Sequence, residues 1–313
     1  MDEIMLSICV VSYNHEKYIQ QCMDSILMQK TDFSVEVIVG NDASTDTTAN
    51  KLEKYKNVVQ IINRETNLGM CANLYDLFLR AKGKYVYCIN GDDFLNRDSV
   101  FQTMVSFLES NPEYFSVTGW NETYKECDGS LQLCKGIDNP EELTLTSFLR
   151  TGGTQAIFAG VMRNTFYQEK STNQYLTMGA RNNEEIKVWF YMLSHGKEKV
   201  LQESVFVYRY VTEENSDNYN STHSYKEVLE DYYGDLLILK KMFGKKYRFT
   251  PAIMARCDDM SMKMFATKKG IIDFIKVLRF RDLCIFIYYK LYRKMHHYQN
   301  PPKWSNEDYL MRR

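Results

Sequence analysis

The chain has 313 residues, 44% of them hydrophobic, which suffices for one large domain with an appendage or for two modest ones. Lysine and arginine number 39 against 40 aspartates and glutamates, so no overall field points to nucleic acid or acidic polymers as partners. Eight cysteines lie scattered without a Cys-x-x-Cys pair or a zinc-like histidine spacing, which reads as a reduced, cytoplasmic protein.

The N-terminus shows neither a basic n-region nor an apolar h-region, so export is not expected. Residues 5–13 (MLSICVVSY) predict a continuous apolar strand, and 16–29 place Ile19, Cys22, Met23, Ile26 and Leu27 on one helical face. Residues 33–42 predict a second strand, with Ser44, Thr45 and Asp46 as helix-start residues after it. A third strand over 58–63, a helix over 70–83 that Gly83 can end, and a fourth strand over 85–89 follow. Next come a helix from 97 that stops before Pro112 and a strand over 114–120. Strands separated by roughly 12 to 15 helical residues indicate βαβ units. The fold class is therefore α/β, a doubly wound, mainly parallel sheet flanked by helices, with ligands on loops at the carboxyl ends of the strands.

Past Asp128 the pattern loosens. It gives a glycine-broken loop and strand within 146–167, an amphipathic helix over 182–196 and an edge-like strand over 200–211. The polar stretch 212–224 marks a boundary, and 225–295 reads as almost wholly helical. The longest apolar-looking run, Leu283 to Tyr292, is far shorter than the ~20 residues a spanning helix needs.

The segment YVYCINGDDFLNRDS, residues 85–99, runs a buried strand into two adjacent carboxylates, Asp92 and Asp93. On one reading this is a turn whose acids cap the next helix; on another it holds a divalent cation and, through it, a diphosphate. The loop after the first strand reads Ser12-Tyr13-Asn14-His15, with no G-x-G-x-x-G, and no P-loop motif occurs. Three loops share one sheet edge: Tyr13, able to lie against a base; Asp42, able to accept from a pyrimidine ring N–H; and Asn90-Gly91-Asp92-Asp93. Singly, each is equally well a core-edge tyrosine, a helix cap and a polar turn. Together with residues 66–73 (TNLGMCAN) they favour a nucleotide-diphosphate site.

Four segments, SICVVSYNHEKYIQQCMDSILMQ, EVIVGNDASTDTT, NRETNLGMCAN and AKGKYVYCINGDDF, resemble in order and register the N-terminal half of family 2 glycosyltransferases of the GT-A fold. These are inverting enzymes that use nucleotide sugars. The resemblance runs from residue 5 to about 120 and is traceable to about 217. It implies a transferase domain over 1–217, with 1–120 the nucleotide-sugar half and 121–217 the acceptor half, and a helical extension over 218–313.

The resemblance further implies that Val11, Tyr13 and Glu16 line the base and ribose pocket and that Asp42 recognises uracil. Asn67, Gly69 and Asn73 fall in the loop beside the sugar diphosphate. Asn90-Gly91-Asp92 falls on the D-x-D signature, with Asp92 matching the acid that binds Mn²⁺ or Mg²⁺ and Asp93 its common acidic follower. Asn90 departs from the pattern, which weakens the metal site or shifts part of its role to Asp93.

Residues 182–197 resemble the segment that carries the general base. Aligned on Trp189, Glu185 falls on the basic Asp and Glu184 on the Glu before it; acids also suit the first turn of any helix. Tyr208, Arg209 and Ser216 match the closing Y-R-x-H-x-x-x-x-S segment loosely, with Val211 in place of the His.

The implied reaction moves a hexosyl or N-acetylhexosaminyl unit from a nucleotide sugar, a UDP-sugar on the strength of Asp42. The acceptor is a saccharide or lipid-linked saccharide in surface polysaccharide synthesis. The alternative is a catalytically silent sugar-nucleotide-binding protein, motivated by Asn90 and Glu185. Residues 263–313 carry twelve basic residues against four acids. Two readings stay open there: peripheral docking of 263–295 at the inner face of the plasma membrane, or packing on the catalytic domain or a second subunit in a homodimer.

Overall fold

A computed structural model describes residues 3–135, 141–145, 147, 160–165 and 185–210, with single positions 284 and 291. Glu184, Val211, Ser216 and residues 218–313, expected from the sequence to be helical, lie outside the described residues apart from those two positions, as does most of 146–167. The chain divides into two compact units, the first made of Met1–Leu143, Gln155–Thr177 and Arg181–Ser216, and the elements below belong to it.

Seven buried residues, Leu-Ser-Ile-Cys-Val-Val-Ser, make β1 (Leu6–Ser12), as in a strand covered on both faces. Helix α1 (Ile19–Leu27) buries Ile19, Cys22, Met23 and Ile26, while Leu27, assigned to that face by periodicity, is 42% exposed at its end. Then follow β2 (Val35–Asn41), α2 (Thr48–Leu52), β3 (Gln60–Asn63), α3 (Met70–Arg80), β4 (Tyr85–Asn90) and α4 (Val100–Ser110). The remainder comprises β5 (Tyr114–Lys125), β6 (Leu131–Cys134), β7 (Glu142–Leu143), β8 (Val161–Arg163), α5 (Glu185–His195) and β9 (Lys197–Tyr210).

These strands form one sheet in the order β3-β2-β1-β4-β8-β5-β9-β7, with β6 on β5. Strands β1 to β4 pair in parallel, as βαβ units require, and β5 pairs in parallel with β9. The sheet is mixed, because β8 enters antiparallel between β4 and β5, and β6 and β7 also join antiparallel. Two antiparallel steps restore direction, so β4, β5 and β9 end at the same edge as β1 to β3. Among the described residues, strand β9 is bordered on its outer side by β7 at Glu198–Lys199 and by a bridge from Phe94 to Val207.

The Tyr87 and Phe101 rings meet edge-on at 4.9 Å and tie α4 to the middle of β4. Helix α5 packs Tyr191 and His195 against Phe115 at the start of β5, and Gly196 alone reverses the chain into β9. A Cβ at Gly196 would sit 3.0 Å from that of Phe115, so the reversal is tight. The helix therefore runs back along the sheet, and its eleven residues, rising ~1.5 Å each, carry Glu185 toward the carboxyl edge. No helix among the described residues is long and apolar enough to cross a membrane.

Glu198 faces Ser116 in the β5–β9 register, 2% exposed, and neither Glu198 Oε2 nor Ser116 Oγ finds a hydrogen-bond partner among the described residues. Burial pushes its carboxyl up to about 8. A raised carboxyl means that the folded state holds a proton the unfolded state releases. Stability is full below the ordinary carboxyl range and falls as pH rises to about 8, by about 1.4 kcal/mol per pH unit. Glu198→Gln removes this slope: urea midpoints match the wild type near pH 4.5 and exceed it at pH 8. Parallel pH profiles for the two proteins would refute it.

Candidate active site

The site is built on the carboxyl edge of β1, β2, β3 and β4. Register places Val11 beside Gly40 and Asn90, Ser12 beside Asn41, and Asn41 beside Asn63. Backbone bonds stitch the loops that leave this row: Gly91 N–H donates to Val11 O at 2.8 Å, Asp42 N–H to Ser12 O at 2.8 Å, and Arg64 N–H to Asn41 O at 3.0 Å. The Asn41 amide donates to Asn63 Oδ1 at 2.8 Å.

Asn14 and Ala43, each two residues past a strand end, have φ of 54° and 59°. This left-handed backbone costs a residue with a Cβ ~1 kcal/mol or more. Cross-bonds between the two loops hold it: Asn14 N–H donates to Ser44 Oγ at 3.0 Å, and Thr45 N–H to Asn14 Oδ1 at 2.9 Å.

Val11 is buried in β1 and Tyr13 is partly exposed beyond it. Glu16, implied at the ribose, is committed through Oε2 to the start of α2, where it accepts from Thr47 N–H at 3.0 Å and Thr47 Oγ1 at 2.7 Å. The Thr47 hydroxyl and N–H hold its carboxyl below the usual range.

Asp42 is 2% exposed and clamps the β3–α3 loop. Its Oδ1 accepts from Leu68 N–H and its Oδ2 from Gly69 N–H, both at 2.9 Å, with Arg64 Nε 3.8 Å away. Burial raises its pKa, and these N–H groups and Arg64 partly offset that. Asn67 Oδ1 also accepts from Gly69 N–H, at 2.9 Å. Gly69 has φ 86°, a conformation that favours glycine.

Asn73, which the resemblance implies in the loop beside the diphosphate, is 1% exposed; its Nδ2 donates to Gly40 O at 2.8 Å and its Oδ1 accepts from Arg64 Nε at 3.0 Å. It fastens α3 to β2. A Cβ on Gly40 would stand 2.2 Å from Asn73 Oδ1, which is why β2 carries a glycine there.

The acid turn lies directly on the β1–α1 loop. A Cβ at Gly91 would meet His15 Nδ1 at 2.8 Å and Ile19 Cδ1 at 2.9 Å. The Asp92 side chain is 29% exposed, with Oδ1 3.9 Å from His15 Nε2. Asp93, expected as a metal ligand, is 1% exposed and its Oδ1 accepts the Arg209 N–H at 2.8 Å. Burial first and the Asp92 charge second push its carboxyl well above the usual range, partly offset by Arg209 and the Asn90 side chain. A buried carboxyl held this way favours its neutral acid, which is a poor cation ligand. His15 and Arg64 were missed as site residues. Their signal was position: His15 lies in the loop after β1, and Arg64 directly follows Asn63 at the end of β3.

No group of three or more His, Cys, Asp or Glu side chains gathers around a common point among the described residues. One part-exposed carboxylate beside an imidazole does not make a closed cage. It does fit a hard cation that keeps waters and takes phosphate oxygens from a bound ligand. Glu185 opens α5 toward this edge. A shallow depression of about 540 Å³, lined by Glu3, Met5 and Thr31 to Ser34, lies at the amino ends of β1 and β2, away from all of these residues.

Comparison with known proteins agrees with this architecture. Residues 7–166 match the family described as Glycosyl transferase family 2. The glycosyltransferase TuaG of Bacillus subtilis, named for teichuronic acid biosynthesis, is 26% identical over 195 residues, 61% of this chain and 73% of TuaG. The poly(ribitol-phosphate) β-N-acetylglucosaminyltransferase TarS of Staphylococcus aureus is 36% identical over 100 residues, 30% of this chain. The chain spans a minor part of several relatives, 17% of TarS and 32% of an uncharacterized Mycobacterium tuberculosis protein. Among solved structures, residues 1–349 of S. aureus TarS with UDP-GlcNAc share the fold at a TM-score of 0.54 and 17% identity, covering 82% of this chain and 81% of that one.

Proposed function

The chain belongs to glycosyl transferase family 2, and on that premise we propose that it is an inverting transferase of cell-surface polymer synthesis. It moves a hexosyl or N-acetylhexosaminyl unit from a UDP-sugar to a hydroxyl of a saccharide or lipid-linked saccharide. We assign residues 1–217 to the transferase domain and 218–313 to a helical extension, with 263–295 as its contact with an anionic membrane or a second subunit. The names of TuaG and TarS support a surface-polymer acceptor, and that of TarS favours an N-acetylhexosamine.

The observation that carries the reading is the part-exposed Asp92 on a glycine turn shared by β1, α1 and β4. Asp92 would hold Mn²⁺ or Mg²⁺, which when bound neutralises charge on the departing diphosphate. Tyr13 offers an aromatic face for the base, and Asp42, buried and bonded to the Leu68 and Gly69 N–H groups, would meet a ring N–H only by turning part of its carboxylate away from that loop. Glu185 takes the proton of the acceptor hydroxyl as its oxygen bonds to the anomeric carbon. The bond from that carbon to UDP breaks with its electron pair on the diphosphate, so configuration inverts in one step.

A thermal-shift panel of UDP-GlcNAc, UDP-glucose, UDP-galactose and GDP-mannose, with and without Mn²⁺, tests this. The expected result is stabilisation by a UDP-sugar that depends on Mn²⁺, with slow release of UDP. Stabilisation by GDP-mannose alone would overturn the donor assignment, and binding without any hydrolysis would mark a silent binder.

A further inference from the structure

One buried cation touches the acid turn, the rings around it and the end of β9 together. Arg209 is 4% exposed at the next-to-last position of β9. Its backbone N–H donates to Asp93 Oδ1 at 2.8 Å, and its Nε donates to the carbonyl oxygen of Asp92 at 2.8 Å. Nη1 pairs with Glu126 and Nη2 donates to Gln21 Oε1. The guanidinium lies 4.7 Å from the Tyr18 ring centre, 5.1 Å from Tyr124 and 5.2 Å from Phe94. Just beyond the acids, Phe94 exchanges backbone bonds with Val207 at 2.9 and 3.2 Å. On the other side, the turn hangs from β1 and α1 through Gly91 N–H to Val11 O and Cys22 Sγ to Asn90 O.

These contacts exceed what packing alone demands. An apolar side chain could fill the ring cage, but it would leave the Asp92 carbonyl without its charged donor. That carbonyl belongs to the residue whose carboxylate is part-exposed, so holding its peptide plane, with Gly91 held to Val11 on the other side, narrows the range over which the Cα–Cβ bond can swing. We propose that Arg209 is a positioning residue: from β9 it orients the Asp92 carboxylate toward the donor diphosphate. The inference rests on the assignment of Asp92 as the cation-holding acid. Arg209 itself touches no substrate in this scheme.

The test titrates UDP into the full chain calorimetrically, in Mn²⁺ and in EDTA, and compares the ratio of the two affinities. Arg209→Lys keeps the charge but loses the fork and the planar stacking. It is expected to lower the Mn²⁺-dependent gain about tenfold while leaving UDP affinity in EDTA within twofold of wild type. A purely structural role would weaken both equally, and that outcome, or an unchanged ratio, overturns the proposal. Glu126→Gln, which removes the opposing charge at constant volume, is expected to lower the same ratio about threefold and serves if the lysine variant melts too low to titrate; an unchanged ratio there overturns the proposal equally. Asp92→Asn run alongside separates the two levels. Loss of the gain in Asp92→Asn without loss in Arg209→Lys defeats the positioning role alone, whereas an unaffected Asp92→Asn defeats both.

Discussion

Asp92→Asn is expected to abolish the Mn²⁺-dependent part of nucleotide-sugar binding and to lower turnover by at least about 10³-fold. The substitution keeps side-chain volume and removes one negative charge from a part-exposed position, so the melting temperature stays within about 2 °C of wild type. What it removes is the one carboxylate of the turn that addresses solvent; Asp93 is enclosed and bonded to Arg209. Several kcal/mol of stabilisation on the leaving diphosphate go with it. Asp93→Asn makes the contrast. Its Oδ1 can still accept the Arg209 N–H, and the carboxyl it replaces is already pushed toward the neutral form, so donor binding survives. Calorimetry with Mn²⁺ decides the matter: wild-type affinity in Asp92→Asn, or a larger loss in Asp93→Asn, contradicts the assignment.

Glu185→Gln is expected to separate binding from chemistry. Donor affinity is expected to persist, because the loops proposed to hold the diphosphate leave β1, β3 and β4 and not α5, while transfer falls by about 10²- to 10⁴-fold with loss of the proposed general base. The placement of α5 supports this, since a helix reversed by Gly196 at the start of β9 must present its first turn toward the carboxyl edge. Glutamate in place of aspartate adds a methylene, roughly 1.5 Å of reach, so the role requires the helix start to sit back by about that much. Single-turnover transfer from a radiolabelled UDP-sugar measures the effect. Near-normal rates in Glu185→Gln, with loss in Glu184→Gln, would move the base one residue upstream.

The parallel half of the sheet was legible because its strands are short apolar runs closed by Asn, Gly and Asp, a local signal with one solution. The second half was less so. Strand β8 is three residues, Val-Met-Arg, and becomes a strand only because β4 and β5 flank it. Strand β5 continues five residues past its apolar core, through Asn-Glu-Thr-Tyr-Lys, because β9 and β6 pair with it there. At the site, residue types and spacing located the loops, but not which side chains are exposed and which are enclosed. Asp93 turns toward a partner 116 positions away, and Asn73 toward a glycine 33 positions back. Asn90 makes sense in that company: an aspartate there would add another charge beside a carboxyl already raised by burial and then by Asp92.

The central place of β8 has a consequence for the chain as it is made. Strand β4 ends at Asn90, and the strand that covers its open side begins at Val161, about seventy residues later. At ~5 to 20 residues per second, a ribosome leaves that edge of the nascent sheet unpaired for roughly 4 to 14 seconds. Throughout that interval the hydrogen-bonding edge of an almost wholly apolar strand is open to other nascent chains. Yield during synthesis is expected to depend on how quickly Val161 to Arg163 arrive, a kinetic demand distinct from the stability of the finished sheet.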